Sequence, residues 1–132
     1  MQESIFTKII KGELPCNKVY EDEKTLAFLD IHPIQTGQVL VVPKKQVGFV
    51  WDLNDEEYAA LMLTVKKVGS RLREVFPDKD RVGMMVEGLD VTDHAHVKVF
   101  PFSAGGEFRA LPTDDEPNHE ALAALAEKLR LS

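Results

Sequence analysis

Residues 93–101 read DHAHVKVFP. His94 and His96 stand two residues apart, and Lys98 takes the next alternate place, in a chain with four histidines in all. Ala95, Val97 and Val99 fill the positions between. A period of two belongs to a β-strand, on which alternate side chains point to the same side. The stretch therefore predicts a strand with one apolar face for a core and one face carrying two imidazoles and an ammonium. Three readings of the polar face are open. It can be a solvated strand surface. His94 and His96 can be two ligands of a metal ion. Or one imidazole, its second nitrogen fixed by a hydrogen bond, can attack phosphorus while its neighbours stabilise charge on the phosphoryl oxygens.

Working outward, RVGMMVEG (81–88) predicts a second strand, linked to the first by the loop GLDVTD (88–93). QVLVVPKK (38–45) is a continuous apolar run of strand length, as expected of a strand covered on both faces. NKVYEDEKTLAFLDI (17–31) predicts a hairpin, with Val19 and Tyr20 on one arm, Leu26 to Ile31 on the other, and a polar link. In SIFTKIIKGE (4–13) the spacing of Ile5, Phe6, Ile9 and Ile10 is helical, with Ser4 as cap and Gly12 to end the helix. A long helix follows Asn54, whose side chain can cap it with Glu57 three residues on. Tyr58, Leu61, Met62, Val65, Leu72 and Phe76 form its apolar stripe, which we read as core, and Pro77 follows its end. SAGGEFRALPTDDEP (103–117) is turn-rich, and NHEALAALAEKLRL (118–131) predicts a last amphipathic helix capped by Asn118. Helices at both ends, one long helix between, and strands with hairpin-length links predict an α+β fold with a mostly antiparallel sheet.

At 132 residues the chain is expected to be one domain, 1–132, large enough to bury roughly 70% of its unfolded surface. A formal charge of −6 argues against a nucleic-acid partner, because a polynucleotide backbone demands a basic surface. A mononucleotide, which needs one small basic pocket, stays possible. Cys16 is the single cysteine, so no intramolecular disulfide forms and a reducing, cytoplasmic location is expected. Its surroundings, GELPCNKVY, hold no activating partner, which makes a structural thiol the plainer reading. No stretch reaches the roughly 20 apolar residues of a membrane span.

The segment HAHVKVFP resembles the signature of the histidine triad (HIT) family, H-x-H-x-H followed by two apolar residues and often a proline. The resemblance continues through GELP, VYED, FLDI-P and LVVPKK, and covers residues 4–101 in order, leaving 102–132 as a C-terminal extension with a helix. It implies a HIT-like fold that dimerises into a continuous sheet, with a nucleotide site opening onto the histidine strand. It also implies that the middle histidine, here His96, forms a nucleotidyl-histidine intermediate. The first histidine corresponds to His94, and Lys98 stands at the third place. The implied purine and ribose pocket maps onto Ile5, Phe6, Ile9, Phe28, Leu29, Asp30 and Ile31. Asp30 would accept from ribose hydroxyls, and Phe28 and Ile31 would cover the base. For Ile5, Phe6, Ile9 and Phe28 ordinary core packing is the competing reading, and for Asp30 it is a turn residue before Pro33.

The departures from the family pattern gather near the phosphates. Gln38 and Gln46 stand where relatives carry histidines, Val86 where an asparagine is common, and Asp90 and Asp93 where serine or glutamine is usual. Asp93 could orient His94. Lys98 keeps a cation at the third place but cannot shuttle a proton near pH 7. Some members bind zinc through an N-terminal C-x-x-C. Here those positions are Ser4 and Thr7, so neither a metal nor another cofactor is expected. The expected function is hydrolysis or transfer acting on nucleoside phosphoramidates or dinucleoside polyphosphates, by a homodimer. The alternative is a nucleotide-binding regulatory module without turnover. His32, His119, Lys44 and Lys45 are read as solvated, and Trp51 as a packing residue with a place at a dimer surface.

Overall fold

The computed structural model describes residues 2–131. Helix α1 (Ile5–Ile10) begins where the Ser4 hydroxyl accepts from the Thr7 amide at 2.9 Å. It ends at Gly12, whose φ of +81° an L side chain rarely adopts. Strands β1 (Lys18–Glu21) and β2 (Thr25–Leu29) form the expected hairpin, and β3 (Val39–Pro43) pairs with β2. A short 3-10 turn (Val50–Asp52) leads into α2 (Asp55–Val75), with the capping box of Asn54 and Glu57 formed in both directions. Strand β4 (Arg81–Met85) pairs with β5 (Val97–Phe102), followed by one short turn of helix, α3 (Gly105–Phe108), and by α4 (His119–Leu129), capped by Asn118. The sheet runs β1-β2-β3-β5-β4 with every neighbour antiparallel, which is the α+β architecture expected from the sequence.

The sheet has two covered faces, and residue parity decides which side chain goes where. Odd-numbered residues of β3 and β5 (Val39, Val41, Val97, Val99), together with Ala27 and Leu29, pack against Leu61, Val65, Val68 and Leu72 of α2. Each of these four α2 residues is 5% exposed or less, and burying each stabilises the fold by about 1.5–3 kcal/mol. Tyr58, expected on the same stripe, is 41% exposed instead and lines a surface groove with Trp51, Met84 and Val86. Ala126 and Leu129 of α4 extend this core, and the Leu131 amide donates to the Val19 carbonyl on β1 at 2.9 Å. Even-numbered Leu26, Phe28, Leu40 and Val42 form a second, smaller cluster under Phe6 of α1.

The loop from Asp30 to Gln38 crosses from β2 to β3. Gly37 turns it with φ +95°, and a Cβ there would lie 2.8 Å from the Phe76 ring, so both conformation and space require glycine. Where the sequence suggested only turns, α3 forms because the Glu107 carboxylate accepts from the Ser103 and Ala104 amides, at 2.6 and 3.3 Å, and fixes the first turn.

Candidate functional site

The ladder of β5 starts at Val97, so His94 and His96 lie on the extended approach to the strand rather than within it. The approach is held by the Ala95 amide, which donates to the Val47 carbonyl at 2.7 Å. Alternation still holds. Ala95, Val97 and Val99 enter the α2 core, and the histidines and Lys98 face α1. This face is not a solvated surface: His94 is 0% exposed, and His96 and Lys98 are each 3% exposed. Phe6 of α1 lies over it, with its ring centroid 5.7 Å from His94, 5.3 Å from His96 and 5.7 Å from Phe28, edge-on in each case. Register places Lys98 in one cross-strand row with Leu40 and Phe28 on one side and Met85 on the other.

Both ring nitrogens of His94 are committed. Nε2 lies 2.8 Å from the Pro43 carbonyl, which can only accept, so Nε2 carries the hydrogen. Nδ1 lies 2.6 Å from the Ser4 hydroxyl, and a neutral ring accepts there from Ser4. Burial holds the His94 pKa below the usual value, opposed by its bond to Pro43 and by the charge of Asp93, and reinforced by His96. Asp93 makes no hydrogen bond to the ring, so Ser4 and Pro43 orient His94 in its place.

His96 is held differently. Its Nδ1 lies 3.0 Å from the His94 carbonyl and must donate to it. In the neutral ring the lone pair then sits on Nε2, which has no hydrogen-bond partner among the described residues. An imidazole fixed in this tautomer can act as a nucleophile. The Lys98 ammonium pairs with the Glu87 carboxylate and lies 3.9 Å from Asp90 Oδ2.

The seven residues expected to bind a nucleoside separate into groups. Phe6 and Phe28 are buried together, and Ile9 packs on the same cluster. Asp30 follows β2, and its carboxylate accepts from the His32 amide at 2.9 Å and from Gln38 Nε2 at 2.8 Å. It is thus a turn residue, with partial exposure besides. Ile5 and Ile31 are exposed at 51% and 44% and belong to neither apolar cluster. The Leu29 side chain lies on the α2 side of the sheet, away from the histidines, because its odd position points it there. Of the other candidates, His32 and His119 are exposed, while Lys44 and Lys45 form ion pairs with Glu21 and Glu57 at 2.9 and 3.4 Å. Trp51 does not pack in this chain, being 78% exposed. Cys16 is partly buried, and burial pushes its thiol pKa up, which suits an inert thiol.

Glu87 escaped the sequence reading, and Gln38 and Gln46 stood there only as departures from the family pattern, without their bonds. Glu87 pairs with Lys98 across 11 residues of loop and strand. Gln38, 1% exposed, gives Nε2 to Asp30 and takes the Ile34 amide on Oε1 at 2.9 Å. Gln46 Oε1 accepts from the Ser4 amide at 2.9 Å and the Thr7 hydroxyl at 2.7 Å, which ties α1 to the end of β3. Ser4 as a helix cap was legible, but its second bond, to a residue 90 positions away, was not.

The HIT domain model matches residues 11–104. The adenosine 5′-monophosphoramidase hnt1 of Schizosaccharomyces pombe is 37% identical over 101 residues, covering 74% of this chain and 72% of that protein. Among solved structures, a Hit-like protein from Bartonella henselae superposes with a TM-score of 0.83 at 28% identity, covering 97% of this chain and 94% of the other. A zinc-bound histidine triad protein from Mycobacterium smegmatis gives 0.75 at 25% identity, covering 96% and 95%. Zinc does not suit Ser4 and Thr7, which stand at the N-terminal C-x-x-C positions, or the residues bonded to them. Ser4, Thr7, Gln46 and His94 are joined by hydrogen bonds and offer one imidazole and no thiolate. No group of three or more His, Cys, Asp or Glu among the described residues could hold a metal. With the family model spanning most of its length and the fold of solved members reproduced from end to end, the chain belongs to the HIT domain family.

Proposed function

We propose that the chain is a nucleotide hydrolase or transferase that works through a nucleotidyl-His96 intermediate, on a purine nucleoside monophosphate amidated or esterified at phosphorus. The observation that carries this reading is the His96 tautomer. Nδ1–H is spent on the His94 carbonyl, and the nucleophilic lone pair is left on Nε2. In the first step Nε2 attacks phosphorus, the bond from phosphorus to the leaving nitrogen or oxygen breaks, and the leaving group takes a proton from solvent. Water then attacks the same phosphorus, releasing the nucleoside monophosphate and restoring the imidazole. His94, with both nitrogens engaged, positions His96 and does not move protons itself. Lys98 supplies positive charge to the phosphoryl oxygens. Phe28 and Phe6 offer apolar cover to the base, with Ile5, Ile9 and Ile31 at its margin, and Asp30 accepts from the ribose.

The relative in Schizosaccharomyces pombe, an adenosine 5′-monophosphoramidase by name, supports phosphoramidates as substrates; dinucleoside polyphosphates are the other class. The test is incubation with adenosine 5′-phosphoramidate, with rapid quench and peptide mass spectrometry. An adenylyl adduct on His96 is expected in the native protein, with no adduct and no turnover in His96→Ala. Turnover that survives His96→Ala would sink the mechanism. A second reading, a regulatory nucleotide-binding module, is favoured by one observation: the third motif position holds a lysine already paired with carboxylates. It requires nucleotide binding without turnover in the native protein, so the same incubation separates the two.

We further read the protein as a homodimer and residues 1–132 as one domain. The apolar side chains of Trp51, Tyr58, Met84 and Val86 line a groove of about 190 Å³ beside the free edge of β4, which supports an interface there. The single-domain reading is supported by α4 burying Ala126 and Leu129 in the α2 core. No helix among the described residues is long and apolar enough to cross a membrane, and the single cysteine suits a reducing cytoplasm.

A further inference from the structure

The Lys98 side chain is 4% exposed, while its partners reach solvent, Glu87 at 30% and Asp90 at 73%. An ammonium this deeply buried needs a counter-charge, and Glu87 provides it. An anion arriving from solvent therefore meets the carboxylate before the ammonium. Two carboxylates face one ammonium here, and its neighbours on the flanking strands, Leu40 and Met85, are uncharged, while the next cation along the row, Lys18, lies beyond Leu40 and Phe28 and is paired with Glu21. The neighbouring cleft between α1 and the loop sets Lys8 against Glu3, Asp90 and Asp93, so acid is again in excess. The loop that carries Glu87 also has turning points beside it. Gly88 and Asp90 take φ of +72° and +68°, and a Cβ on Gly88 would meet nothing within 4 Å, so the residue after Glu87 has open space beside it.

We propose that Glu87 sets the anion selectivity of the site: its carboxylate holds the Lys98 ammonium that an entering phosphoryl group must take over, so that ligands with a single phosphoryl group are accepted and polyphosphate chains are disfavoured. The inference rests on the reading that nucleotides bind beside His96. One phosphoryl group can replace Glu87 on Lys98 as the carboxylate swings out. Each further phosphate brings more negative charge towards Asp90 and Asp93 and finds no cation at the positions flanking Lys98, Leu40 and Met85. Within the two substrate classes above, this selects nucleoside phosphoramidates over dinucleoside polyphosphates.

Calorimetric titration of the full chain with AMP and with ATP tests the idea, in the native protein, Glu87→Gln, Lys98→Met and the double variant. The native protein should bind AMP more tightly than ATP. Glu87→Gln should tighten AMP by roughly tenfold, the equivalent of one charge-assisted hydrogen bond no longer contested, and ATP by more, which narrows the ratio. Both gains should vanish in the Lys98→Met background. Glu87→Asp, which keeps the charge and shortens the reach, should give a smaller gain, and it stands in should Glu87→Gln fail to fold. AMP binding that is unchanged or weaker in Glu87→Gln overturns the role of Glu87 while leaving the nucleotide site intact. AMP binding by none of the forms overturns the nucleotide reading itself, and this inference with it.

Discussion

Removing one oxygen from Ser4 should cost more than any ordinary helix cap. Ser4 is 2% exposed, and its hydroxyl does two things at once. It accepts from the Thr7 amide at 2.9 Å as the cap of α1, and it lies 2.6 Å from His94 Nδ1 as the donor that ring requires. Losing a cap costs about 1 kcal/mol. Leaving a buried imidazole nitrogen unpaired costs about 1–3 kcal/mol more. The Thr7 hydroxyl, 3.4 Å from the same nitrogen, already donates to Gln46 Oε1 and does not replace Ser4, so Ser4→Ala should lose about 2–4 kcal/mol out of a total of about 5–15. In urea, where a domain of this size loses about 2 kcal/mol per molar, the unfolding midpoint should fall by about 1–2 M. The control is Asn54→Ala, which removes a cap that serves α2 alone, through the Glu57 amide at 2.8 Å, and should cost about 1 kcal/mol. If the two variants lose the same stability, the Ser4 hydroxyl is only a cap, and the account of how His94 is held fails.

His94 also makes stability depend on pH. Its pKa lies near 6.5 in the unfolded chain and is lowered by burial in the fold. The unfolded state therefore binds more protons below that value, so this contribution is complete above about pH 6.5 and is lost as pH falls towards the folded pKa. The slope stays below about 1.4 kcal/mol per pH unit, the limit for a single group, and urea titrations at several pH values should show it in the native protein and lose it in His94→Asn. Asp30→Asn keeps one acceptor for the loop but removes the charge offered to the ribose. AMP affinity should fall by about 1–3 kcal/mol in calorimetry, and an unchanged value would place the ribose elsewhere. Trp51→Glu should convert a dimer into a monomer of 14.8 kDa by light scattering at micromolar concentration, and a native protein already monomeric would refute the assembly reading.

Much of the fold was legible because it is written locally. The Asn54 and Glu57 pair, the Asn118 cap, the hairpin of β1 and β2 and the apolar run of β3 each depend on residues a few places apart, and each formed as read. Parity along HAHVKV correctly assigned which side chains enter the α2 core. What alternation could not say was how deep the other face lies. That depends on Phe6, which arrives from the far end of the chain. The same holds for Ser4 on His94, Gln38 on Asp30 and Glu87 on Lys98: each is a bond between polar residues that pattern alone assigns to solvent. Leu29 shows the reverse error, where motif position suggested a pocket residue and strand parity turned its side chain away. Trp51 reads as a packing residue with a place at a dimer surface, and within the single chain it projects from the short 3-10 turn.

The bond from the Leu131 amide to the Val19 carbonyl has a consequence for growth beyond one chain. A sheet with two open edges can add copies head to tail without limit, which is the route to fibres. Here the C-terminal arm closes the β1 margin at Val19, and β4 is the margin left for another backbone. Two chains meeting β4 to β4 would use up the open margin of both and present capped ones outward. Such an assembly would terminate at two, with Leu131 and the end of α4 as the stop.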